Sequence, residues 1–190
     1  MTRQEKMNRA IFVRMRYRDL KTAEKLVNSV LRSLKGEPNR QAAKTILIEA
    51  FEQLGLIYFA RGRNGRSLYY FKRAIKLAKE LDTSKSFTYE RLLAVSARVY
   101  IARGQHDLAD EMYGTAIGRL LAKGVLWLAG SILSLYKEFL LTQQRKKEAT
   151  SCQRKIRSVE SRRKKQQEES AAKAAAALED TEEFVDHRED

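Results

Sequence analysis

The segment Tyr58-Phe59-Ala60-Arg61-Gly62 recurs 42 residues later as Tyr100-Ile101-Ala102-Arg103-Gly104. The residues around the two copies agree in spacing as well. The first set is Phe51, Leu54, Gly55, Tyr58, Ser67, Phe71 and Ala74, and the second is Leu93, Ser96, Ala97, Tyr100, Ala109, Tyr113 and Ala116. An internal repeat of about 20–50 residues is typical of arrays in which each unit packs on the next. We therefore expect a repeat protein.

The apolar pattern inside each copy is helical. Between Ala43 and Tyr58, apolar or small residues stand at positions 43, 47, 50, 51, 54, 55 and 58, which form one face of a helix. One Pro and nine Gly in 190 residues argue against an all-β chain, which needs many turns. Breaks fall at Gly36-Glu37-Pro38, at 62–65, near 82–84, at Gly104-Gln105 and near Gly124. The sequence predicts an all-α fold with helices at 4–17, 20–35, 40–61, 65–81, 86–103, 106–122, 126–143 and 145–177.

The repeated positions have physical roles. Gly55 and Ala97 are small, as two closely crossing helices require, and Ser67 and Ala109 are small on the facing helices. Gly62 and Gly104 are expected to end helices, because a left-handed residue at a helix end costs least as Gly. The aromatic residues of the repeat are expected to fill the space between neighbouring helix pairs: Tyr58, Phe71, Tyr100 and Tyr113.

The pattern Phe51-x₂-Leu54-Gly55-x₂-Tyr58 followed by Ser67-x₃-Phe71 resembles the tetratricopeptide repeat (TPR). The closing Pro of that repeat is absent, since Lys79 stands there. The spacing of 42 residues is similar to the extended repeats of kinesin-light-chain-type proteins. The resemblance implies a right-handed superhelical stack of antiparallel helix pairs, a TPR-like α-solenoid.

The chain divides into three predicted regions. A TPR-like helical repeat domain covers 1–160, with clear repeats at 43–81 and 86–122 and degenerate repeats at 4–35 and 126–160. A basic-to-Ala-rich helical extension follows at 161–178, because Ala has the highest helix propensity. Residues 179–190 are acidic with two bulky apolar residues, which predicts a disordered tail.

The resemblance also implies a function, because TPR stacks bind peptides or helices of partner proteins in a concave groove lined by the first helix of each pair. The chain is then a non-catalytic scaffold or adaptor. An equally open alternative is that a neighbouring helix, or the chain's own tail, covers this face. The predicted partner-binding residues are Glu49, Glu52, Gln53, Leu56 and Phe59 on the first helix and Arg91, Val95, Arg98 and Ile101 on the second, with Ala94 on the same face.

Charge suggests a different class of partner. The formal net charge is +14, but residues 1–165 hold 36 basic and 15 acidic side chains while 166–190 hold 2 and 9. One interpretation of the basic stretch 145–165 is a solvated outer face. Others are a phosphate-binding helix for RNA, another polyanion or an anionic membrane, and a nuclear import signal formed by 145–147 and 162–165. The residues for polyanion binding are Arg154, Lys155, Arg157, Arg162, Arg163, Lys164 and Lys165.

The sequence offers no motif for catalysis. The histidines are His106 and His187, and neither forms a recognisable set with the single cysteine, Cys152. We expect no enzymatic activity, no metal site and no cofactor. The longest uncharged apolar run, 125–136, is 12 residues and thus too short to span a bilayer. We expect it to form core, with an exposed docking face at this end of the stack as the alternative. A cytoplasmic location is the expectation, with a nuclear one as the alternative.

Overall fold

A computed structural model describes residues 1–35, 41–82 and 86–186, with side chains as far as residue 174. Within these ranges the chain forms eight α-helices and no strand, which confirms the all-α prediction. A π-helical turn, Val13–Tyr17, continues the first helix. The helices are α1 Arg3–Phe12, α2 Leu20–Ser33, α3 Gln41–Ala60, α4 Asn64–Glu80, α5 Thr88–Ile101, α6 His106–Ala122, α7 Leu126–Thr142 and α8 Lys146–Asp186.

The end of α8 differs from the prediction. The helix runs to Asp186, past residue 178 where the helical extension was expected to stop. Disorder from 179 onward is therefore not confirmed, and 187–190 lie outside the described residues. The breaks expected at Gly36-Glu37-Pro38 and at 83–84 also fall outside them.

The chain forms two compact units, 1–119 and 120–190. In the first unit, α1 packs on α2, α2 on α3, α3 on α4 and α4 on α5. The pair α3–α4 is antiparallel, since Lys44 near the start of α3 forms a salt bridge of 3.0 Å with Glu80 at the end of α4. In the second unit α7 packs on α8.

The crossing of α3 and α4 depends on Gly55, as the sequence predicted. A Cβ at this position would lie 2.9 Å from the ring of Phe71, closer than packed carbons come. The Ser67 hydroxyl donates a hydrogen bond of 2.8 Å to the Gly55 carbonyl oxygen, and both Ser67 and Phe71 are fully buried. The small residues therefore let the two helices approach. The Phe71 ring fills the crossing within this pair, whereas the sequence predicted it in the space between neighbouring pairs.

Four helix ends share one hydrogen-bonding pattern, the Schellman motif. Gly62 has φ 70° and Gly104 has φ 71°, so both are left-handed and end their helices as predicted. The amide after each glycine bonds a carbonyl five residues back, Arg63 to Tyr58 at 2.9 Å in the first case. The ends of α6 and α7 repeat the pattern around Gly124 and Gln144.

The second unit buries the apolar run on α7. Leu126, Leu128, Ala129, Ile132 and Leu133 are buried, which agrees with the expectation of a core helix, whereas Trp127 and Leu135 of the same run are exposed. The facing stripe of α8 consists of Ala149, Cys152, Ile156 and Val159. None of the helices in the described ranges combines the length and the apolar character needed to cross a bilayer.

Candidate functional site

The predicted groove residues lie on α3 and α5, and two contacts fix how these helices run. Arg91 pairs with Glu52, with 2.7 Å between Nη2 and Oε2, and the Arg98 guanidinium lies 5.9 Å from the ring centroid of Phe59. Both pairs join residues 39 apart in the chain. Contacts that advance together along both helices mean that α3 and α5 run parallel, side by side.

Glu52 and Gln53 are held by other parts of the chain. Both are buried, with 4% and 6% of their surface exposed. Both guanidinium nitrogens Nη1 and Nη2 of Arg91 bond the Glu52 carboxylate, which is the two-pronged geometry that gives such pairs their strength. Gln53 Oε1 accepts a hydrogen bond of 3.0 Å from Arg14 Nε. These two groove residues are thus part of the folded structure of the first unit.

Arg14 brings the π-helical turn over this face. Burial lowers the pKa of its guanidinium, while the charge of Glu52 acts in the opposite direction. For Glu52 and Gln53, the structure thus agrees with the alternative that another part of the chain covers this face. No sequence pattern indicated this contact, because Arg14 lies 39 residues from Gln53 in a segment without a clear repeat.

A cavity of about 440 Å³ opens at this part of the face, and Glu52 and Gln53 are among the residues that line it. Its apolar wall includes Ile11 of α1 and Ile48 of α3, and its polar lining includes Glu49 and Arg91. Glu49 is half-buried. Burial raises the pKa of its carboxyl group, although a hydrogen bond from Gln4 works against that shift. Glu49 is thus an acid that the fold partly desolvates at the edge of an open cavity.

The other predicted groove residues form the C-terminal half of the same face. Four of them are half-buried, and Arg98 is exposed over Phe59. An arginine stacked on an aromatic ring presents a cation and a flat apolar surface together. The half-buried residues are Leu56, Phe59, Val95 and Ile101.

Two further charged clusters were not singled out by the sequence. Glu24 accepts hydrogen bonds from the Tyr58 hydroxyl at 2.6 Å and from Arg61 at 2.5 Å. Burial by itself would raise the pKa of Glu24, but these two bonds outweigh it and hold the pKa below its usual value. Arg119 of α6 pairs with the buried Glu90 of α5 at 2.9 Å, and that bond raises the pKa of the arginine. A helical pattern alone does not reveal either cluster, since the partners come from separate helices.

The residues that the sequence predicts for polyanion binding lie on α8. The buried stripe of this helix ends at Val159, and every side chain from 160 to 174 is exposed. Two of the cations face acids one turn later, Lys164 to Glu168 at 3.7 Å and Lys165 to Glu169 at 3.8 Å. All seven cations, which are Arg154, Lys155, Arg157, Arg162, Arg163, Lys164 and Lys165, are exposed to solvent.

Metal-binding groups do not come together in the part of the chain that the structure describes, where no three His, Cys, Asp or Glu side chains could share an ion. Cys152 is buried in the α7–α8 contact, and burial raises the pKa of its thiol. A thiol in such surroundings stays protonated and is a poor nucleophile.

Comparison with models of known protein families and with curated proteins finds no match to this chain. The function proposed next therefore rests on residues, contacts and cavities of the chain itself.

Proposed function

We propose that the protein is a non-catalytic adaptor of the TPR kind that binds a segment of a partner protein on the α3–α5 face. The observation that carries this proposal is the cavity of about 440 Å³ with Glu49 at its edge. A repeat fold is supported by the parallel contact register of α3 and α5 and by the shared geometry of the helix ends at Gly62 and Gly104.

The cavity suits a lysine or arginine side chain of the partner. Burial removes part of the hydration of the Glu49 carboxylate. A cation of the partner beside it would replace that hydration with a direct charge–charge interaction. Ile11 and Ile48 offer an apolar wall to the methylene stem of that side chain. Glu52 is already neutralised by Arg91, which leaves Glu49 as the acid that meets the ligand.

The rest of the bound segment lies along the C-terminal half of the face. Leu56, Phe59 and Ile101 are half-buried, so additional apolar contact removes surface that water still touches. Arg98 adds a cation at the same end. The preferred segment thus carries a basic residue at one end and apolar or acidic residues at the other.

The variant Glu49→Gln tests this proposal, with Glu111→Gln, an exposed acid on α6, as the matched control. We expect partner proteins captured from a nuclease-treated native lysate to fall at least about tenfold with Glu49→Gln and to remain with Glu111→Gln. Retention of every partner by Glu49→Gln, or loss of all specific partners on nuclease treatment, would contradict it.

Stability separates a binding role for Glu49 from a structural one. The folded state raises the pKa of Glu49, so its contribution to stability is present below the ordinary value of 4.5 and lost as pH rises through the folded-state pKa. Glu49→Gln should therefore unfold at a higher temperature than the unmodified protein at neutral pH, and at the same temperature well below pH 4.5. A variant that gains stability while it loses binding is the mark of a functional residue.

A second candidate function is binding of RNA or another polyanion by α8. It is favoured by the exposure of all seven predicted cations. Such binding would be led by phosphate contacts and strongly dependent on salt.

A further inference from the structure

The solvent face of α4 is strongly basic and also carries an aromatic residue. The sequence of this helix holds one acid, Glu80, which forms a salt bridge with Lys44. The cations Lys72, Lys76 and Lys79 are spaced four and three residues apart, so they follow one face of the helix. The exposed residues of the helix are Gly65, Arg66, Tyr69, Lys72, Arg73, Lys76, Lys79 and Glu80.

A groove of about 580 Å³ lies on one side of this basic face. We call it the α2–α4 groove, because α2 and α4 form its walls. Its floor is apolar and includes Leu47 and Phe51 of α3. Its charged lining consists of the ion pair between Lys44 and Glu80 and of three further cations: Lys35, Arg73 and Lys76.

A second groove of about 380 Å³ lies between α4, α5 and Met112 of α6. We call it the α4–α6 groove. Its apolar lining includes Ile75 and Leu93, and Lys72, Lys76 and Lys79 line it as well. Lys76 therefore lines both grooves, and α4 is a basic ridge between two apolar depressions.

We propose that these two grooves and the ridge form a second docking surface, which binds an acidic segment of a partner protein. Carboxylates of that segment lie over Lys72, Lys76 and Lys79, and bulky apolar side chains on either side of them enter the grooves. The charges are complementary, and such complementarity sets both the choice of partner and the rate of encounter.

The form of the surface favours a peptide over a nucleic acid. The apolar residues are recessed, so the ligand must supply side chains that reach inward. Leucine, isoleucine and methionine side chains offer no strong hydrogen-bonding group to the edge of a base. The exposed aromatic ring of this face is that of Tyr69, and the Arg73 guanidinium lies 5.7 Å from its centroid and 4.3 Å from that of the buried Phe51, so a base would have to compete with Arg73 for the Tyr69 ring.

The form of the surface also argues against a membrane. Proteins that lie on a bilayer insert protruding apolar side chains between the lipids. Here the apolar residues Ile75 and Leu93 line a depression instead. Lys72, Lys76 and Lys79 do not line the cavity beside Glu49. Binding at this surface and binding at the α3–α5 face can therefore be tested separately.

Selection from a random library of 12-residue peptides displayed on phage tests the proposal with the intact protein. We expect the enriched peptides that Glu49→Gln still binds to be acidic and to contain at least two bulky apolar residues. Their dissociation constants, measured by fluorescence anisotropy, should rise about tenfold with Lys72→Glu/Lys76→Glu. They should rise by less than about twofold with Lys21→Glu/Lys25→Glu, an exposed pair on α2 that gives the same change in net charge and the same spacing.

A second variant tests the grooves rather than the charge. Ile75→Gln keeps a side chain of comparable size and places an amide in the α4–α6 groove. It should weaken the selected peptides by about threefold while the unfolding temperature shows that the protein remains folded.

Four outcomes would overturn the proposal. The first is enrichment of neutral or basic peptides, and the second is an equal loss of affinity in the two lysine-pair variants. The third is equal binding of peptides whose apolar residues are replaced by Ser. The fourth is tighter binding of a 20-nucleotide RNA or of anionic vesicles that is lost with Lys72→Glu/Lys76→Glu.

Discussion

The α3–α5 face and the basic part of α8 both carry charged residues with a candidate binding role, but the fold treats them differently. On the first, Glu52 is buried and paired with Arg91, and Gln53 is held by Arg14. On the second, every described side chain beyond Val159 is exposed. A charge change on the α3–α5 face should therefore alter both stability and binding, whereas one on α8 should alter binding alone.

The largest effect on stability is expected where α3 is fixed against α4. Gly55→Leu places a side chain where Phe71 leaves no room, and overpacking of this kind costs about 1–3 kcal/mol. Replacement of a Gly inside a helix would by itself raise the free energy of unfolding by up to about 1 kcal/mol. A measured decrease would therefore be evidence for the close crossing of α3 and α4. The measurement is the free energy of unfolding in urea.

The control for this prediction is Ser161→Leu on the exposed part of α8. It should change the free energy of unfolding by less than about 0.5 kcal/mol. If both variants were neutral, the close contact of α3 with α4 would be wrong.

The next effect concerns the pair between α3 and α5. Arg91→Met leaves the buried Glu52 carboxylate without its partner, which should cost about 1–2 kcal/mol, since Arg91 is itself 39% exposed. The double variant Glu52→Gln/Arg91→Met should be more stable than Arg91→Met, because the unpaired charge is gone. Urea unfolding of the two single variants and the double variant forms a cycle that measures the coupling. If the effects of the two single variants on the free energy of unfolding simply added in the double variant, the pair between Glu52 and Arg91 would contribute nothing to stability.

The helix boundaries were the part of the fold that sequence could predict. Gly62 and Gly104 indicated where their helices end, and the structure has both in the left-handed region. Gln144 adopts φ 57° at the same kind of helix end, although no glycine stands there. The predicted helix bounds at this place, 143 and 145, still lie within one residue of the observed ones, Thr142 and Lys146.

Contacts between helices were the part that sequence could not predict. The periodicity placed Glu52 and Gln53 on one face of α3, but not the residue that would cover them. Arg14 reaches Gln53 from a segment with a different helical form, and such a meeting depends on the packing of α1 against α3. Glu24 was missed for a related reason, because its partner Tyr58 was assigned to packing alone while its hydroxyl donates to the carboxylate.

A smaller effect on stability is expected at Glu24. Its pKa is lowered in the folded state, so its contribution is present above the ordinary value of 4.5 and lost as pH falls through the folded-state pKa. Glu24→Gln should lower the free energy of unfolding by about 1 kcal/mol or less at pH 7, and the difference from the unmodified protein should close below pH 4.5. Thermal unfolding between pH 3 and pH 7 checks this, and a difference that grows as pH falls would contradict it.

The smallest effect on stability, and the sharpest separation of the two regions, is expected at Arg162 and Arg163. Glutamines stand four residues after each, so reversal to Glu avoids the like-charge pairs four residues apart that would form at Lys164 and Lys165 beside Glu168 and Glu169. The one like-charge neighbour that it adds is Glu160, three residues before Arg163. Arg162→Glu/Arg163→Glu should leave the free energy of unfolding within about 0.5 kcal/mol of the unmodified protein.

The same variant decides whether α8 binds polyanions. If it does, the salt dependence of binding to a 20-nucleotide single-stranded RNA should become shallower by about 0.7 for each phosphate that the variant no longer neutralises. Lys21→Glu/Lys25→Glu changes the net charge equally from the exposed face of α2 and should leave that slope closer to the original. Equal slopes in the two variants would mean that RNA responds to the overall charge of +14 rather than to α8. The exposed cations of α8 would then be explained by solvation of the part of the helix beyond Val159. The α3–α5 face would remain the better candidate for specific binding.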